Sequence, residues 1–221
     1  PRNRSSRTAE LLREKGAEVL ELPSIKTVPL KDQGPLHAAM EKMETYQWMV
    51  FTSPTGVEVF FDELKKQKKD IRSLCGIRVA AIGQGTASAL EQRGLLADLV
   101  PSVYDGDTLA RELAEKLDGG ERILIPRALK GNENIVPVLE EKGASVDDIG
   151  IYETVYESSR LIDPGKELKA GNIDCVVFTS ASTVKGFVES TKGADYSGLV
   201  AACIGKQTKA AADQFGMETY M

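Results

Sequence analysis

The sequence predicts an α/β protein made of two doubly wound domains, each built around a parallel sheet. Three observations support this prediction: the chain repeats itself once, each copy contains short apolar segments of strand length, and longer amphipathic segments separate them. Strands that alternate with helices form βαβ units, whose parallel sheets are covered by helices on both faces. The length of 221 residues suits two small domains.

Three blocks of sequence show the internal duplication. The matched pairs are LLREKGA at 11–17 with VLEEKGA at 138–144, MVFTS at 49–53 with VVFTS at 176–180, and AIGQGT at 81–86 with CIGKQT at 203–208. The first two pairs lie 127 residues apart and the third lies 122 apart. Ordered matches with one short length change indicate a repeat of ~125 residues, the size of a domain rather than of a solenoid unit.

The first copy begins with an amphipathic helix over 6–15, which ends at Gly16 in a position typical of a helix C-cap. The apolar segments that follow have strand length, and each is followed by a Thr-Ser or Gly turn that can begin a helix. The predicted order is strand 18–22, a helix, strand 48–51, helix 55–64, strand 78–82, a helix from Thr86 and helix 108–117.

The second copy repeats this order, and Gly143 ends its first helix. Its predicted elements are strand 122–126, helix 134–142, strand 145–152, a helix, strand 175–178, helix 182–190, strand 199–204 and a helix from Thr208. Strand 122–126 has no counterpart before Pro1, and helix 108–117 has none before Met221. The repeat therefore predicts that the sequence is a trimmed form of a longer chain.

Composition argues against several classes of function. The net charge of −5 argues against a protein that binds nucleic acids in general. Apolar runs are shorter than the ~20 residues of a membrane helix, and the basic N-terminus lacks the apolar core of a signal peptide. These features predict a cytoplasmic protein that binds neither nucleic acid nor membrane.

The sequence contains few residues that could bind a metal ion or form disulfides. His37 is the only histidine, and no CxxC pair is present, so a zinc or iron site is not expected. The three cysteines, Cys75, Cys175 and Cys203, are interpreted as small buried thiols in a reducing compartment. Cys175 and Cys203 fall in apolar runs that predict buried strands.

Polar turns follow two predicted strands in each copy, and their hydroxyl residues are Ser53, Thr86, Ser180 and Thr208. Ligands of parallel α/β sheets bind at the carboxyl ends of strands, where these turns lie. Helix N-termini offer unpaired N–H groups, and hydroxyls add donors, so the four turns suit a large ligand with several carboxylates. For any single Thr-Ser pair, ordinary helix capping is the alternative interpretation.

The two copies differ at Tyr152, which aligns with Ile25. One interpretation is an aromatic residue that packs at a domain edge. The other is functional, because a phenol with a pKa of about 10 can donate a proton or a hydrogen bond to a departing hydroxyl.

Competing catalytic motifs are incomplete. The GQG at 83–85 lacks the third glycine of a dinucleotide-binding turn, and no Walker A sequence is present. His37 lies in a polar linker, which gives little support to serine–histidine catalysis, and no carboxylate pair suggests a glycosidase.

The motifs taken together resemble those of the uroporphyrinogen-III synthase family. They are FTSPTGV at 51–57, AIGQGTA at 81–87, GIYETV at 150–155, FTSASTV at 178–184 and IGKQT at 204–208. The resemblance covers nearly the whole chain in order, and it departs from commoner patterns at Thr55 and Gln207. It implies two domains, 1–27 with 157–221 and 31–153, joined by a two-stranded connection with the active-site cleft between them.

The resemblance also implies an enzyme, a cofactor-free lyase. The implied substrate is hydroxymethylbilane, an open tetrapyrrole with eight carboxylates, which loses water and closes to uroporphyrinogen III with its last pyrrole inverted. Tyr152 matches the tyrosine implied to act on the departing hydroxyl. Ser53, Thr86, Ser180 and Thr208 match positions implied to hold acetate and propionate groups. A monomer is expected.

Two alternatives remain at this point. One is a synthase-like domain without catalytic activity, kept as a tetrapyrrole or anion sensor in a regulatory protein. The other is a flavodoxin-like electron carrier, which needs an aromatic residue in a loop to stack on flavin, whereas Trp48 falls within a predicted strand.

Overall fold

A computed structural model describes residues 2–131, 134–156 and 163–221, with side chains from Arg7 onward. Tertiary contacts divide the chain into two compact units. Unit 1 comprises Pro1–Thr27 and Thr154–Met221, and unit 2 comprises Val28–Glu153. The domain border expected at residue 157 lies outside the described residues.

The elements alternate between strand and helix for most of the chain. The helices are α1 Arg2–Glu14, α2 Gly34–Met40, α3 Pro54–Lys66, α4 Gln84–Glu91, α5 Gly106–Ala114, α6 Ile135–Glu140, α7 Pro164–Lys169, α8 Ala181–Ser190 and α9 Lys206–Asp213. The strands are β1 Ile25–Pro29, β2 Trp48–Phe51, β3 Arg78–Ala81, β4 Arg122–Ala128, β5 Ser145–Tyr156, β6 Cys175–Phe178, β7 Val200–Cys203 and β8 Glu218–Tyr220.

Unit 2 is organised by a sheet with the strand order β1-β5-β4-β2-β3. The pairs β2–β3, β2–β4 and β4–β5 are parallel. Both β1 and β5 cross the border between the units, at Thr27 and at Glu153. The α/β class with parallel strands, expected from the sequence, is confirmed.

Each face of this sheet is covered by its own apolar core. The first core contains Met49 and Phe51 of β2 with the apolar residues of α2, α3 and α4. The second core contains Trp48 and Val50 of β2 with those of α5 and α6. Alternate residues of β2 therefore point to opposite faces, and all four are buried, as in a doubly wound parallel sheet.

Unit 1 has a smaller parallel sheet with the order β6-β7-β8. Phe178 of β6 and Phe187 of α8 lie at the centre of its core, with ring centroids 5.5 Å apart in an edge-to-face arrangement. Helix α8 approaches the segment before β1 closely, because a Cβ on Gly186 would lie only 2.5 Å from the carbonyl oxygen of Ser24. This contact requires glycine at that position.

Two local expectations were wrong. The first concerns residues 17–24, which form no regular structure although strand 18–22 was expected, and the strand begins instead at Ile25. Leu22 packs against the core of unit 1, but Leu20 is 41% exposed and Pro23 has no N–H to donate to a neighbouring strand, so the segment is anchored without strand pairing.

The second concerns the cysteines, since only Cys203 is buried, whereas Cys75 and Cys175 are exposed. Among the described residues, β6 has a neighbour on one side only, namely β7. Cys175 and Val177 occupy the exposed positions of β6, and Val177 is 44% exposed.

Within the described residues, no helix combines the length and the apolar character that crossing a membrane requires.

Candidate active site

Ser53 stands where β2 ends and α3 begins. Its backbone is extended, and its Oγ accepts a hydrogen bond of 2.9 Å from the Gly56 N–H. Pro54 occupies the first turn of the helix, where its missing N–H costs nothing. Ser53 is therefore the N-cap of α3, and its side chain lies at the carboxyl edge of the sheet of unit 2.

Tyr152 reaches this same N-cap from β5. Its hydroxyl oxygen lies 2.6 Å from the Oγ of Ser53, and its side chain is buried, with the residue 7% exposed. The two residues come from strands that are not neighbours, since β4 lies between β2 and β5. The structure thus brings together two of the five residues that the sequence suggested for the site.

A bulge in β5 gives Tyr152 its direction. Gly150 lies opposite Arg127 of β4, whereas the next residue of β4, Ala128, lies opposite Tyr152. Ile151 is therefore an extra residue that pairs with no residue of β4. Bulges of this kind turn a strand locally and re-aim the side chains that follow them.

The side-chain pattern shows the effect of the bulge. Val146 packs against the second core, and Ile149 and Ile151 pack against the first, as strict alternation requires. Alternation would send Tyr152 to the second core as well. Instead Tyr152 follows Ile151 into the first core, on the face of the sheet that carries α3 and Ser53.

The phenol of Tyr152 keeps its proton at neutral pH. Burial raises the pKa of Tyr152, and the hydrogen bond with Ser53 offsets part of that rise. The tyrosine is therefore a hydrogen-bond donor and a potential acid, because the phenolate is disfavoured in this environment.

Thr86 lies in the first turn of α4, the helix that follows the neighbouring strand β3. The turn after β3 is fixed by a hydrogen bond of 3.0 Å from the Ile82 N–H to the Phe51 carbonyl. Helix α4 begins after Gly83, which provides no side-chain cap, and the Thr86 side chain is buried, with the residue 2% exposed. The Thr86 N–H donates to the Gly83 carbonyl at 3.0 Å, whereas Gln84 and Gly85 are exposed, so the accessible donors here are the backbone N–H groups of those two residues rather than the Thr86 hydroxyl.

An exposed tyrosine borders this turn, and the sequence argument had missed it. A Cβ on Gly83 would lie 2.9 Å from Cγ of Tyr104, whose residue is 63% exposed. Asp105 caps α5 immediately after it, by accepting a hydrogen bond of 2.7 Å from the Thr108 N–H. No motif in the sequence links Tyr104 with Gly83, which lies 21 residues earlier.

Unit 1 repeats part of this arrangement. Ser180 caps α8 within a capping box, since its Oγ accepts from the Thr183 N–H at 3.3 Å and the Thr183 Oγ1 accepts from the Ser180 N–H at 3.2 Å. The Ile204 N–H donates to the Phe178 carbonyl at 3.1 Å, as at the matching turn of unit 2. Helix α9 begins after Gly205, and Thr208 is 4% exposed.

The duplicate of the tyrosine position is apolar. Ile25 of β1 aligns with Tyr152 and is 9% exposed. Ser180 thus caps its helix in the way that Ser53 does, and of these two serines Ser53 is the one that contacts the phenol of Tyr152.

Within the described ranges, no group of three or more His, Cys, Asp or Glu side chains is placed to hold a metal ion.

Comparison with known proteins gives a consistent assignment. A family model described as uroporphyrinogen-III synthase HemD matches residues 6–221. A porphyrin biosynthesis protein HemD of Ruminiclostridium josui is 35% identical over 98% of this chain, and the chain spans only 43% of that protein's length. A uroporphyrinogen-III synthase of Synechococcus elongatus is 32% identical over 92% of this chain and 80% of its own.

Solved structures with the same fold carry the same name. A mutant uroporphyrinogen III synthase from Thermus thermophilus superposes with a TM-score of 0.68 at 18% identity, covering 98% of this chain and 87% of that one. The enzyme from Helicobacter pylori gives 0.62 at 18% identity, covering 89% and 83%. At this sequence identity the solved structures establish the fold alone, and the match to the family model establishes which family the chain belongs to. The chain belongs to the uroporphyrinogen-III synthase family.

Proposed function

We propose that this chain closes hydroxymethylbilane to uroporphyrinogen III, with loss of water and inversion of the terminal pyrrole. The observation that carries the proposal is the buried phenol of Tyr152, 2.6 Å from Ser53 at the N-terminus of α3. Family membership supports it. The Tyr152–Ser53 pair also favours an enzyme over a sensor domain, because binding carboxylates needs no buried acid.

The hydrogen bonds around Ser53 leave the hydroxyl proton of Tyr152 free to be donated to the substrate. The Gly56 N–H donates to the Ser53 Oγ, which leaves the Ser53 hydroxyl free to donate to the Tyr152 oxygen. Tyr152 then donates its own proton to the hydroxyl that leaves the substrate. The phenolate that develops is stabilised by Ser53 and by the positive end of the α3 dipole.

The chemistry after water leaves is mainly a matter of conformation. The azafulvene carbon is attacked at the substituted position of the terminal pyrrole, which gives a spiro intermediate that rearranges and closes. The proton lost from the closing pyrrole balances the one that Tyr152 gave to the departing hydroxyl. Free substrate closes to the type I isomer, so the protein acts by holding one conformer.

The carboxylates of the substrate fit the remaining turns. The first turns of α4 and α9 follow Gly83 and Gly205, and neither glycine supplies a side-chain acceptor for the helix. The Thr86 N–H is engaged by the Gly83 carbonyl, so in α4 the N–H groups of Gln84 and Gly85 are the ones proposed to bind acetate or propionate oxygens, with those of the first turn of α9. Thr86, Ser180 and Thr208 complete the proposed binding set, with the buried threonines supporting the turns and Ser180 reaching the substrate directly.

We propose further that the two units are the domains of a duplicated fold, joined through β1 and β5. The division of the chain into two units, each with its own parallel sheet, supports this. A cytoplasmic monomer fits the charge and composition, and sedimentation of the purified chain tests the monomer.

The decisive experiment is an isomer analysis. Freshly prepared hydroxymethylbilane is incubated with the purified chain, and the uroporphyrin isomers are separated after oxidation. Type III well above the protein-free control is expected. Formation of type I alone by the folded protein would refute the synthase proposal.

Tyr152→Phe tests the phenol within that assay. We expect kcat for type III to fall about 100-fold, the range of general acid catalysis, with little change in KM. Tyr196→Phe is the matched control, because the Tyr196 hydroxyl lies 2.6 Å from Thr191 Oγ1 in unit 1 and has no proposed role. Equal losses in both variants would show that the effect is structural.

A further inference from the structure

We propose that Gln33 is a positioning residue, which holds the bulge of β5 so that Tyr152 points at Ser53. The inference rests on the role proposed for Tyr152, although the geometry on which it stands is independent of that role. Gln33 does not touch the phenol. It acts on the backbone one residue before it.

The contacts of Gln33 meet at the extra residue of the bulge. The Gln33 Nε2 donates to the Ile151 carbonyl at 2.8 Å and to the Leu30 carbonyl at 2.9 Å. The Leu30 N–H also donates to the Ile151 carbonyl, at 3.0 Å. The carbonyl of the bulged residue thus receives two hydrogen bonds from the segment that leads into α2.

The opposite side of the bulge is held by β4. The Leu129 N–H donates to the Tyr152 carbonyl at 2.8 Å. A Cβ on Gly150 would lie 3.1 Å from Cα of Leu129, so the chain after β4 lies directly against Gly150. Gln33 and Leu129 therefore fix the two consecutive carbonyls, of Ile151 and Tyr152, from opposite sides.

The burial of Gln33 argues that these two donated bonds are what the residue provides. Gln33 is 8% exposed, and its Oε1 is buried without a hydrogen-bond partner among the described residues. A buried unmet acceptor destabilises a protein, so an apolar residue of similar length would suit packing alone better. The amide is explained by the need to hold the Ile151 carbonyl.

Gln33→Met keeps the length of the side chain and removes both donors. We expect kcat for type III to fall about tenfold or more, since a shift of about 1 Å in a catalytic group has effects of this size. KM should stay within about twofold, because the carboxylate-binding turns after β3 and β7 are untouched. Gln47→Met is the matched control. Gln47 also bridges backbone groups, donating to Thr45 and accepting from Arg122, but at the amino end of β2.

A double variant separates positioning from general stability. If Gln33 acts through Tyr152, Gln33→Met in a Tyr152→Phe background should lower kcat by less than about twofold further, because the two changes damage one function. A merely structural role predicts that the two losses multiply. Multiplied losses would overturn the inference.

A spectroscopic readout keeps the inference testable apart from the proposed reaction. With ¹³Cζ-labelled tyrosine, the Tyr152 signal is assigned as the one lost in Tyr152→Phe. Gln33→Met should shift that signal and leave the signal of Tyr46, whose hydroxyl donates to Asp147 near the start of β5. Gln47→Met should leave the Tyr152 signal unchanged. An unmoved Tyr152 signal in Gln33→Met overturns the inference, whether or not the chain makes type III. A moved signal with unchanged kcat in an active chain overturns it equally.

Discussion

Ser53→Ala gives the sharpest test of the contact between Ser53 and Tyr152, because the duplicate of Ser53 provides its own control. Ser53 and Ser180 cap α3 and α8 with the same extended backbone, at φ −165 and −167. Ser53 alone of the two also hydrogen-bonds a buried tyrosine. The difference between the two alanine variants therefore isolates the phenol contact.

The magnitudes follow from the groups removed. Loss of a serine N-cap lowers the free energy of unfolding by about 1 kcal/mol, and this is the whole expectation for Ser180→Ala. Ser53→Ala also leaves the Tyr152 hydroxyl without its partner, in a residue only 7% exposed, and this costs about 1–3 kcal/mol more. The expected total for Ser53→Ala is about 2–4 kcal/mol.

Urea unfolding followed by far-UV circular dichroism measures both variants, and the fluorescence of Trp48, the only tryptophan, follows unit 2. Adding Tyr152→Phe to Ser53→Ala should recover about 1–3 kcal/mol, since the unpaired hydroxyl is then gone. Equal losses in Ser53→Ala and Ser180→Ala, with no recovery in the double variant, would refute the reasoning.

Two further predictions concern unit 2. Gly150→Ala should lower the free energy of unfolding measured in urea by about 1–2 kcal/mol and reduce kcat, because its methyl group would lie 3.0 Å from Leu129 Cδ1. Glu63 is buried, which raises its pKa, but hydrogen bonds from Lys66 and His37 outweigh this and leave the pKa lowered. A lowered pKa contributes stability above about pH 4.5 that is lost as pH falls further, so Glu63→Gln should flatten the acid side of the unfolding profile; an unchanged slope below about pH 4.5 would contradict the pairing.

Local pattern was enough for the elements that cover a core. Strands 48–51 and 175–178 are apolar at every position and bounded by Thr-Ser turns, and both form as expected. The segment 18–22 has three apolar residues among its five and forms no strand. Cys175 is exposed although its segment is apolar, because exposure depends on which strands and helices lie beside it. Such neighbours are distant in sequence and leave no local pattern.

The sequence located the turns that hold the proposed site residues, but it could not predict which of these residues meet in space. The turns containing Ser53 and Ser180 were identified from recurring sequence, and their caps form as the residue types predict. The contact between Ser53 and Tyr152 could not be inferred, because alternation from Ile151 places the Tyr152 side chain on the wrong face of the sheet. The bulge depends on Gly150 and on a glutamine 118 residues away in sequence, and no period in the sequence reports it.

The double crossing of the chain between the units has a consequence for biosynthesis. Residues 1–27 leave the ribosome before unit 2, yet the core around Phe178 and Phe187 that belongs to their unit is encoded after residue 163. Unit 2 is continuous and holds all the strands of its two cores by the time Glu153 has been made. We expect this inserted unit to fold before unit 1 during translation, because residues 1–27 can pack only after the second segment of their own unit has been made. Long-range closure of this kind slows folding, so the assembly of unit 1 should be the late step.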